Sequence, residues 1–136
     1  MNHNTDIAAL LLRTGLGAMF VAHGLLKVLV FTLPGTVGFF EQVGFPGWTA
    51  YLVTTLEIGG GVALIAGIGV RAISISLLPV LLGAVFVHFG SGWVFSNPNG
   101  GWEYPAFLTL VSIAVALLGP GKYVLPTPAL LRTQSV

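Results

Sequence analysis

Long apolar runs separated by short segments rich in glycine and proline dominate this sequence. A helix needs about 20 apolar residues to cross the hydrocarbon core of a bilayer. On that scale the runs predict four transmembrane helices, over about residues 7–31, 48–69, 71–89 and 102–118. The pattern therefore predicts an all-α, polytopic membrane protein, a single domain over residues 1–136 in which four helices form a bundle.

The segments between the runs carry the residues that start and end helices. Asp6 can cap the first helix, because its carboxylate accepts hydrogen bonds from the open amides of a first turn. Residues 31–47 are short and broken by proline and glycine, so we expect a loop or a half-buried interfacial segment. A tight turn over residues 67–69 and a polar turn over residues 90–101 connect the remaining helices.

Composition supports the membrane interpretation and excludes several functions. Hydrophobic residues make up 55% of the chain and charged residues 7%, whereas soluble domains carry roughly 25% charge. A net charge of +1 provides no electrostatic footprint for nucleic acid. The absence of cysteine excludes disulfide exchange, thiolate nucleophiles and iron–sulfur ligation. The amino terminus lacks the basic region of a signal peptide, so we expect the first apolar run to be retained as a helix.

The distribution of charge predicts the orientation. Four spans place both termini on one side of the membrane. Three of the five basic residues fall on that side: Arg71, Lys122 and Arg132. On the opposite side, Lys27 is offset by Glu41 and Glu103. The excess of positive charge on the cytoplasmic side of membrane proteins therefore predicts cytoplasmic termini.

Glu57, followed by three glycines, is an isolated acid near the middle of the second run. A lone charge in hydrocarbon costs at least a few kcal/mol, so it must be paired, protonated or in a polar cavity. From a rise of 1.5 Å per residue, Arg13 lies ~9 Å and Glu57 ~16 Å from the cytoplasmic face. We expect an Arg13–Glu57 ion pair, unless Glu57 serves a cavity that handles a proton or a quinone head group. The helix-packing candidates are Gly17, Gly24, Gly59, Gly60 and Gly61.

The first and third predicted helices carry further polar candidates. Lys27 lies near the outer end of this helix, where its long side chain is expected to extend to the interface. His23 and His88 both fall ~24 to 26 Å from the cytoplasmic face, so they could ligate a b-type haem between two helices. Alternatively, each histidine only hydrogen-bonds to backbone or water.

Aromatic residues cluster at the predicted ends of the helices. This set is expected to form an interfacial belt: Trp48, Trp93, Trp102, Tyr104 and Tyr123. Glu103 is expected to be an ordinary acid at a helix start, with a docking role as the alternative.

Six short stretches, in order along the chain, resemble the DoxX family of small bacterial membrane proteins. They are residues 12–17 (LRTGLG), 24–27 (GLLK), 44–46 (GFP), 56–61 (LEIGGG), 67–71 (GIGVR) and 119–123 (GPGKY). The resemblance implies a four-helix protein of the bacterial inner membrane. For some relatives it also implies association with quinone-linked sulfur oxidation or with redox and detoxification partners.

Two functional hypotheses follow. The first is a non-catalytic or accessory inner-membrane subunit that associates with quinone-linked redox partners, with quinone as the expected ligand. The second is a non-enzymatic membrane protein that binds a small amphipathic ligand or holds partners together, including as a homo-oligomer. The sequence has no evident nucleophile–base pair or metal-ligand cluster, which favours either hypothesis over an enzyme that acts alone.

Overall fold

The computed structural model describes residues 1–126 and contains five α-helices. They are α1 (His3–Leu29), α2 (Leu33–Gln42), α3 (Trp48–Ala66), α4 (Val70–Phe89) and α5 (Glu103–Leu118). No strand occurs within these residues. Three helices, α1, α3 and α4, are long and apolar enough to cross a membrane, whereas α5 is apolar but has 16 residues. Arg132 and the polar tail lie outside the described residues.

The start of α1 differs from the prediction. Asn2, rather than Asp6, caps the helix, with its Oδ1 accepting a hydrogen bond from the Thr5 amide at 2.9 Å. Asp6 lies inside the first turn and accepts instead from the Lys122 amide at 3.1 Å. The predicted cap was therefore wrong, because this acid connects the start of α1 to the segment after α5.

The expected loop between the first two spans contains a helix. Thr32 adopts a positive φ of 65° and caps α2, its Oγ1 accepting from the Gly35 amide at 3.3 Å. Pro34 occupies the first turn of α2, where its missing N–H interrupts no helical hydrogen bond. Pro34 and Gly35, which argued against a helix, therefore lie in the first turn of one.

The contact between α1 and α3 is the most extensive in the structure, and these helices run antiparallel. Gly17 faces Gly61 so closely that a Cβ on either glycine would lie 2.6 Å from the carbonyl oxygen of the other. Two turns further along α1, a Cβ on Gly24 would lie 2.5 Å from a side-chain carbon of Ile58 and 3.3 Å from Glu57 Cβ. These glycines allow the two backbones to approach as small residues do in membrane helices.

The three consecutive glycines of α3 have different surroundings. Gly61 faces α1, whereas a Cβ on Gly60 would lie 3.2 Å from Ile73 on α4. At Gly59, no described atom beyond the neighbouring residues and the adjacent backbone of α3 lies within 4 Å of the position that a Cβ would occupy. Gly59 therefore does not belong to the predicted packing surface.

Arg13 connects α1 to two other parts of the chain. It is 1% exposed, and its guanidinium donates to the Leu64 and Ile65 carbonyls at 2.8 and 2.5 Å, in the last turn of α3. It also donates to the carbonyls of Pro120, at 3.1 Å, and Tyr123. The partial negative charge at a helix C-terminus favours a cation there. Arg13 is thus compensated by backbone carbonyls.

An apolar core fills the same half of the bundle. It brings together residues from four helices: Leu16, Phe20, Leu64, Val70, Leu77, Leu81 and Val115. Ser112 on α5 donates from Oγ to the Ser74 carbonyl on α4 at 3.0 Å, which joins these two helices inside the core. This half is therefore closely packed.

We predict that Gly61→Ala destabilises the protein while Gly59→Ala does not. The methyl group at Gly61 would meet a backbone carbonyl, which cannot rotate away, and overpacking of this kind costs about 1–3 kcal/mol. The methyl group at Gly59 meets open space and improves helix propensity, so the change there should stay within about 1 kcal/mol. Unfolding of both variants in detergent measures the difference. Equal losses of stability would contradict the close approach of α1 and α3.

Candidate ligand-binding site

Glu57 forms an ion pair with Lys27. Lys27 Nζ lies 2.7 Å from Glu57 Oε2, and both side chains are largely buried. This is the sole ion pair within residues 1–126. The carboxylate in the middle of α3 is therefore compensated by a cation from α1.

The predicted Arg13–Glu57 pair is wrong, and the direction of helical side chains explains why. In an α-helix each Cα–Cβ bond tilts toward the N-terminus. Arg13 on α1 therefore extends toward the end of the bundle that holds the termini, and it reaches the last turn of α3. Glu57 on the antiparallel α3 extends the opposite way and meets Lys27.

The same rule corrects the expected position of Lys27. To reach the outer interface, its side chain would have to extend toward the C-terminus of α1, against its Cα–Cβ direction. Instead it turns toward the centre of the bundle and binds Glu57. The Thr36 hydroxyl on α2 donates to the Thr32 carbonyl at 2.9 Å and also lies 3.2 Å from the Lys27 carbonyl oxygen, so α2 packs against the end of α1.

A cavity of about 1310 Å³ occupies the half of the bundle opposite the termini. All five helices and the loop over residues 90–102 contribute to its wall, which is mostly aliphatic and aromatic. The aromatic wall includes Phe20, Phe39, Phe40, Phe45, Trp93 and Trp102. Polar side chains are few among the lining residues: Thr49 and six that ionise, namely His23, Lys27, Glu57, His88, Glu103 and Tyr104.

His23 and Tyr104 meet on this wall. Their rings stack with centroids 5.9 Å apart and an angle of 28° between the planes. His23 Nδ1 lies 2.7 Å from the Met19 carbonyl oxygen, which can only accept, so this nitrogen carries the proton. The Tyr104 hydroxyl is shielded from solvent and has no hydrogen-bond partner within residues 1–126.

His88 and Glu103 hold the loop that closes one side of the cavity. His88 Nδ1 lies 2.9 Å from the Asn99 carbonyl, and Glu103 Oε1 accepts from the Phe95 amide at 3.0 Å. Trp93 and Trp102 pack edge to face with centroids 4.5 Å apart, so these two belt candidates also contact each other. Glu103 is the first residue of α5, where an acid was expected.

The haem hypothesis for His23 and His88 stays a prediction. Both residues line the cavity, and each directs Nδ1 to a backbone carbonyl. Residues 1–126 contain no group of three or more His, Cys, Asp or Glu side chains that could hold a metal ion. Backbone hydrogen bonding, which was the alternative for both histidines, is present at both.

Tyr104 is the residue whose position sequence reasoning missed. It was assigned to the interfacial belt because it follows Trp102 and Glu103 at the start of an apolar run. Residues 103–108 all line the cavity, so no helical spacing at the start of α5 marks Tyr104 in the sequence.

A bundle with three apolar helices of membrane-spanning length, a mostly apolar cavity and one buried ion pair has the architecture of a membrane protein. The chain belongs to the DoxX family, whose profile matches residues 8–90. The resemblance noted from the six sequence stretches is thereby confirmed.

Two named proteins are similar to this chain over most of their length. The Bacillus subtilis (strain 168) protein named "Putative oxidoreductase CatD" is 33% identical over 119 residues, which cover 88% of this chain and 84% of that protein. The Escherichia coli (strain K12) "Inner membrane protein YqjF" is 27% identical over 120 residues, which cover 87% and 88% of the two chains. No solved structure shows a significant match to this chain.

We predict strong energetic coupling between Lys27 and Glu57 and little between Arg13 and Glu57. Glu57→Gln retains a hydrogen-bond acceptor for Lys27 and should lose less stability than Glu57→Leu, which leaves a buried ammonium without a partner. A double-mutant cycle with Lys27→Met and Glu57→Gln should show a coupling of about 0.5–3 kcal/mol.

The matched control is a cycle with Arg13→Lys and Glu57→Gln, measured by unfolding in the same detergent. Because Arg13 contacts backbone carbonyls, its effect should add to that of Glu57→Gln within about 0.5 kcal/mol. Equal stability of Glu57→Gln and Glu57→Leu, or equal coupling in the two cycles, would argue against the Lys27–Glu57 pair.

Proposed function

We propose that this protein is a multi-pass DoxX protein of the bacterial inner membrane that binds a quinone-type amphipathic molecule in its cavity. In this role it serves as an accessory subunit for a membrane or peripheral redox partner. The observation that carries the proposal is the cavity itself, whose wall is aromatic and aliphatic but holds a small set of polar groups. Ligand sites for small molecules share this composition.

The shape of the cavity suits a ligand with a polar ring and an apolar tail. Phe107 and Leu110 on α5 line it and are also 61% and 65% exposed, so the cavity opens to the outer surface of the bundle. An isoprenoid tail could leave through this opening into the lipid while the ring stays inside. The volume, about 1310 Å³, exceeds the ~300–1,000 Å³ of common ligand pockets.

The redox part of the proposal draws on the named relative and on what the chain lacks. The Bacillus subtilis relative carries the word oxidoreductase in its name. The present chain has no cysteine, and no metal-binding group occurs within residues 1–126. In this proposal the bound ligand carries the electrons and exchanges them with a partner protein.

A second function, binding of a different amphipathic molecule or assembly of partners without redox chemistry, shares the same cavity. The observation that supports this second function is the ion pair between Lys27 and Glu57. Two charges that bind each other can serve the structure alone, without a ligand. Retention of a lipid, or a homo-oligomer with no ligand, would favour this alternative.

We further propose that α5 is the fourth span and that both termini are cytoplasmic. The start of α1 contacts the segment after α5 through Asp6 and Lys122, and through His3 and Tyr123 at 3.2 Å. These two ends therefore lie at the same end of the bundle. With α1, α3 and α4 as spans, the chain returns to that side only if α5 crosses as well. Its 16 residues extend about 24 Å, which a locally thinned bilayer accommodates.

Reporter fusions test this topology. A green fluorescent protein fused to the C-terminus should fluoresce, and alkaline phosphatase at the same position should be inactive, because both report the cytoplasmic side. The matched fusion within the loop at residues 90–101 should give the reverse result. Active phosphatase at the C-terminus would overturn the proposed orientation.

We predict that the protein purified in mild detergent retains a quinone, or binds added ubiquinone-1 with a saturable isotherm. Solvent extraction and chromatography identify the retained molecule, and calorimetry measures the added one. The absorbance spectrum of the same sample tests the haem hypothesis, because a Soret band would indicate a bis-histidine haem instead. Failure to retain or bind any quinone would contradict the proposed function.

A further inference from the structure

The hydroxyl of Tyr104 is a buried polar group that the packing of the bundle does not explain. The Tyr104 side chain lines the cavity, whereas its hydroxyl is shielded from solvent and has no partner within residues 1–126. A buried hydroxyl without a hydrogen bond has lost its hydration and gained nothing in return, so native proteins keep few such groups. A ligand in the cavity would supply the missing partner.

A comparison with Ser74 shows that this group is unusual. Ser74 Oγ also lacks a partner in the described part of the chain, but it lies in the core between α4 and α5 and does not line the cavity. A serine hydroxyl can rotate toward the carbonyl of the preceding turn of its own helix. The phenol of Tyr104 extends too far from its own helix for that, so packing within residues 1–126 leaves its hydroxyl without an acceptor.

His23 places a hydrogen-bond acceptor beside this donor. Because Nδ1 donates to the Met19 carbonyl, the neutral ring presents Nε2 as an acceptor. Nε2 makes no hydrogen bond to residues 1–126, and the ring stacks on Tyr104. The wall therefore offers one hydroxyl donor and one imidazole acceptor next to each other.

The other ionisable groups of the wall each have at least one partner within residues 1–126. Lys27 and Glu57 bind each other at 2.7 Å, and Glu103 binds the Phe95 amide. His88 is held by the Asn99 carbonyl at the loop. The donor and acceptor at Tyr104 and His23 are thus the best placed to recognise a ligand oxygen.

We propose that Tyr104 and His23 form the head-group site for the quinone-type ligand, an inference that rests on the proposed function. The Tyr104 hydroxyl donates to a ring oxygen of the ligand in either redox state. A quinone oxygen can only accept a hydrogen bond, whereas a quinol hydroxyl can also donate one. His23 Nε2 accepts the hydrogen bond that the quinol hydroxyl donates. His23 therefore favours the quinol over the quinone.

Calorimetric titration with ubiquinone-1 and with ubiquinol-1 under anaerobic conditions tests this site. Tyr104→Phe should weaken binding of both forms about fivefold, the loss expected for one hydrogen bond. His23→Phe preserves an aromatic ring and should weaken the quinol about fivefold while changing the quinone less than about twofold. Tyr51→Phe is the matched control, since Tyr51 is 52% exposed and does not line the cavity.

The outcomes separate this site from the general function. If the unaltered protein binds neither form, the proposed function fails and the head-group site fails with it. If it binds and Tyr104→Phe binds equally well, the head-group site is overturned while the function stands. The ligand-free melting temperature provides a second readout: Tyr104→Phe should melt no lower than the unaltered protein. A lower melting temperature would show that the hydroxyl serves the fold and would overturn the proposal.

Discussion

The close approach of α1 and α3 at Gly17 and Gly61 is the contact on which the other features depend. Backbone atoms of the two helices meet there, so the helices cannot slide or rotate without a clash. Lipid offers no hydrophobic force to hold helices together, and packing at short range has to do so. With this register set, Arg13 lies at the last turn of α3 and Lys27 lies within reach of Glu57.

The two buried basic residues of α1 are stabilised in different ways. Arg13 has several planar donors and satisfies four carbonyls at the end of a helix, where the backbone itself carries partial negative charge. Lys27 has a compact charge and pairs with one carboxylate. Together these two side chains connect α1 to α3 and to the segment that follows α5.

The bundle is packed unequally along its length. Near the termini, small residues and an aliphatic core close the space between helices. At the opposite end, α2 and the loop over residues 90–102 replace close helix contacts, and the aromatic side chains there surround a cavity. The ion pair lies at the boundary between the two halves, so it supports the packed half and lines the open one.

The sequence by itself determined the helical membrane class, the positions of the long helices to within a few residues, and the family. Hydrophobic run length and glycine or proline punctuation are local signals, and a bilayer makes them strong. It also identified Glu57, Lys27, His23 and Arg13 as residues that need partners, because an ionisable group in an apolar run is visible without a structure.

Only the tertiary structure decided which partners those residues have. Depth along a helix axis placed Arg13 near Glu57, but the opposite tilt of side chains on antiparallel helices separates them and brings Lys27 to the acid instead. The inward position of Tyr104 likewise depends on the rotation of α5 about its axis, which no local pattern in an apolar helix specifies. Pairing and cavity formation are relations between helices, and those relations exist only once the helices have packed.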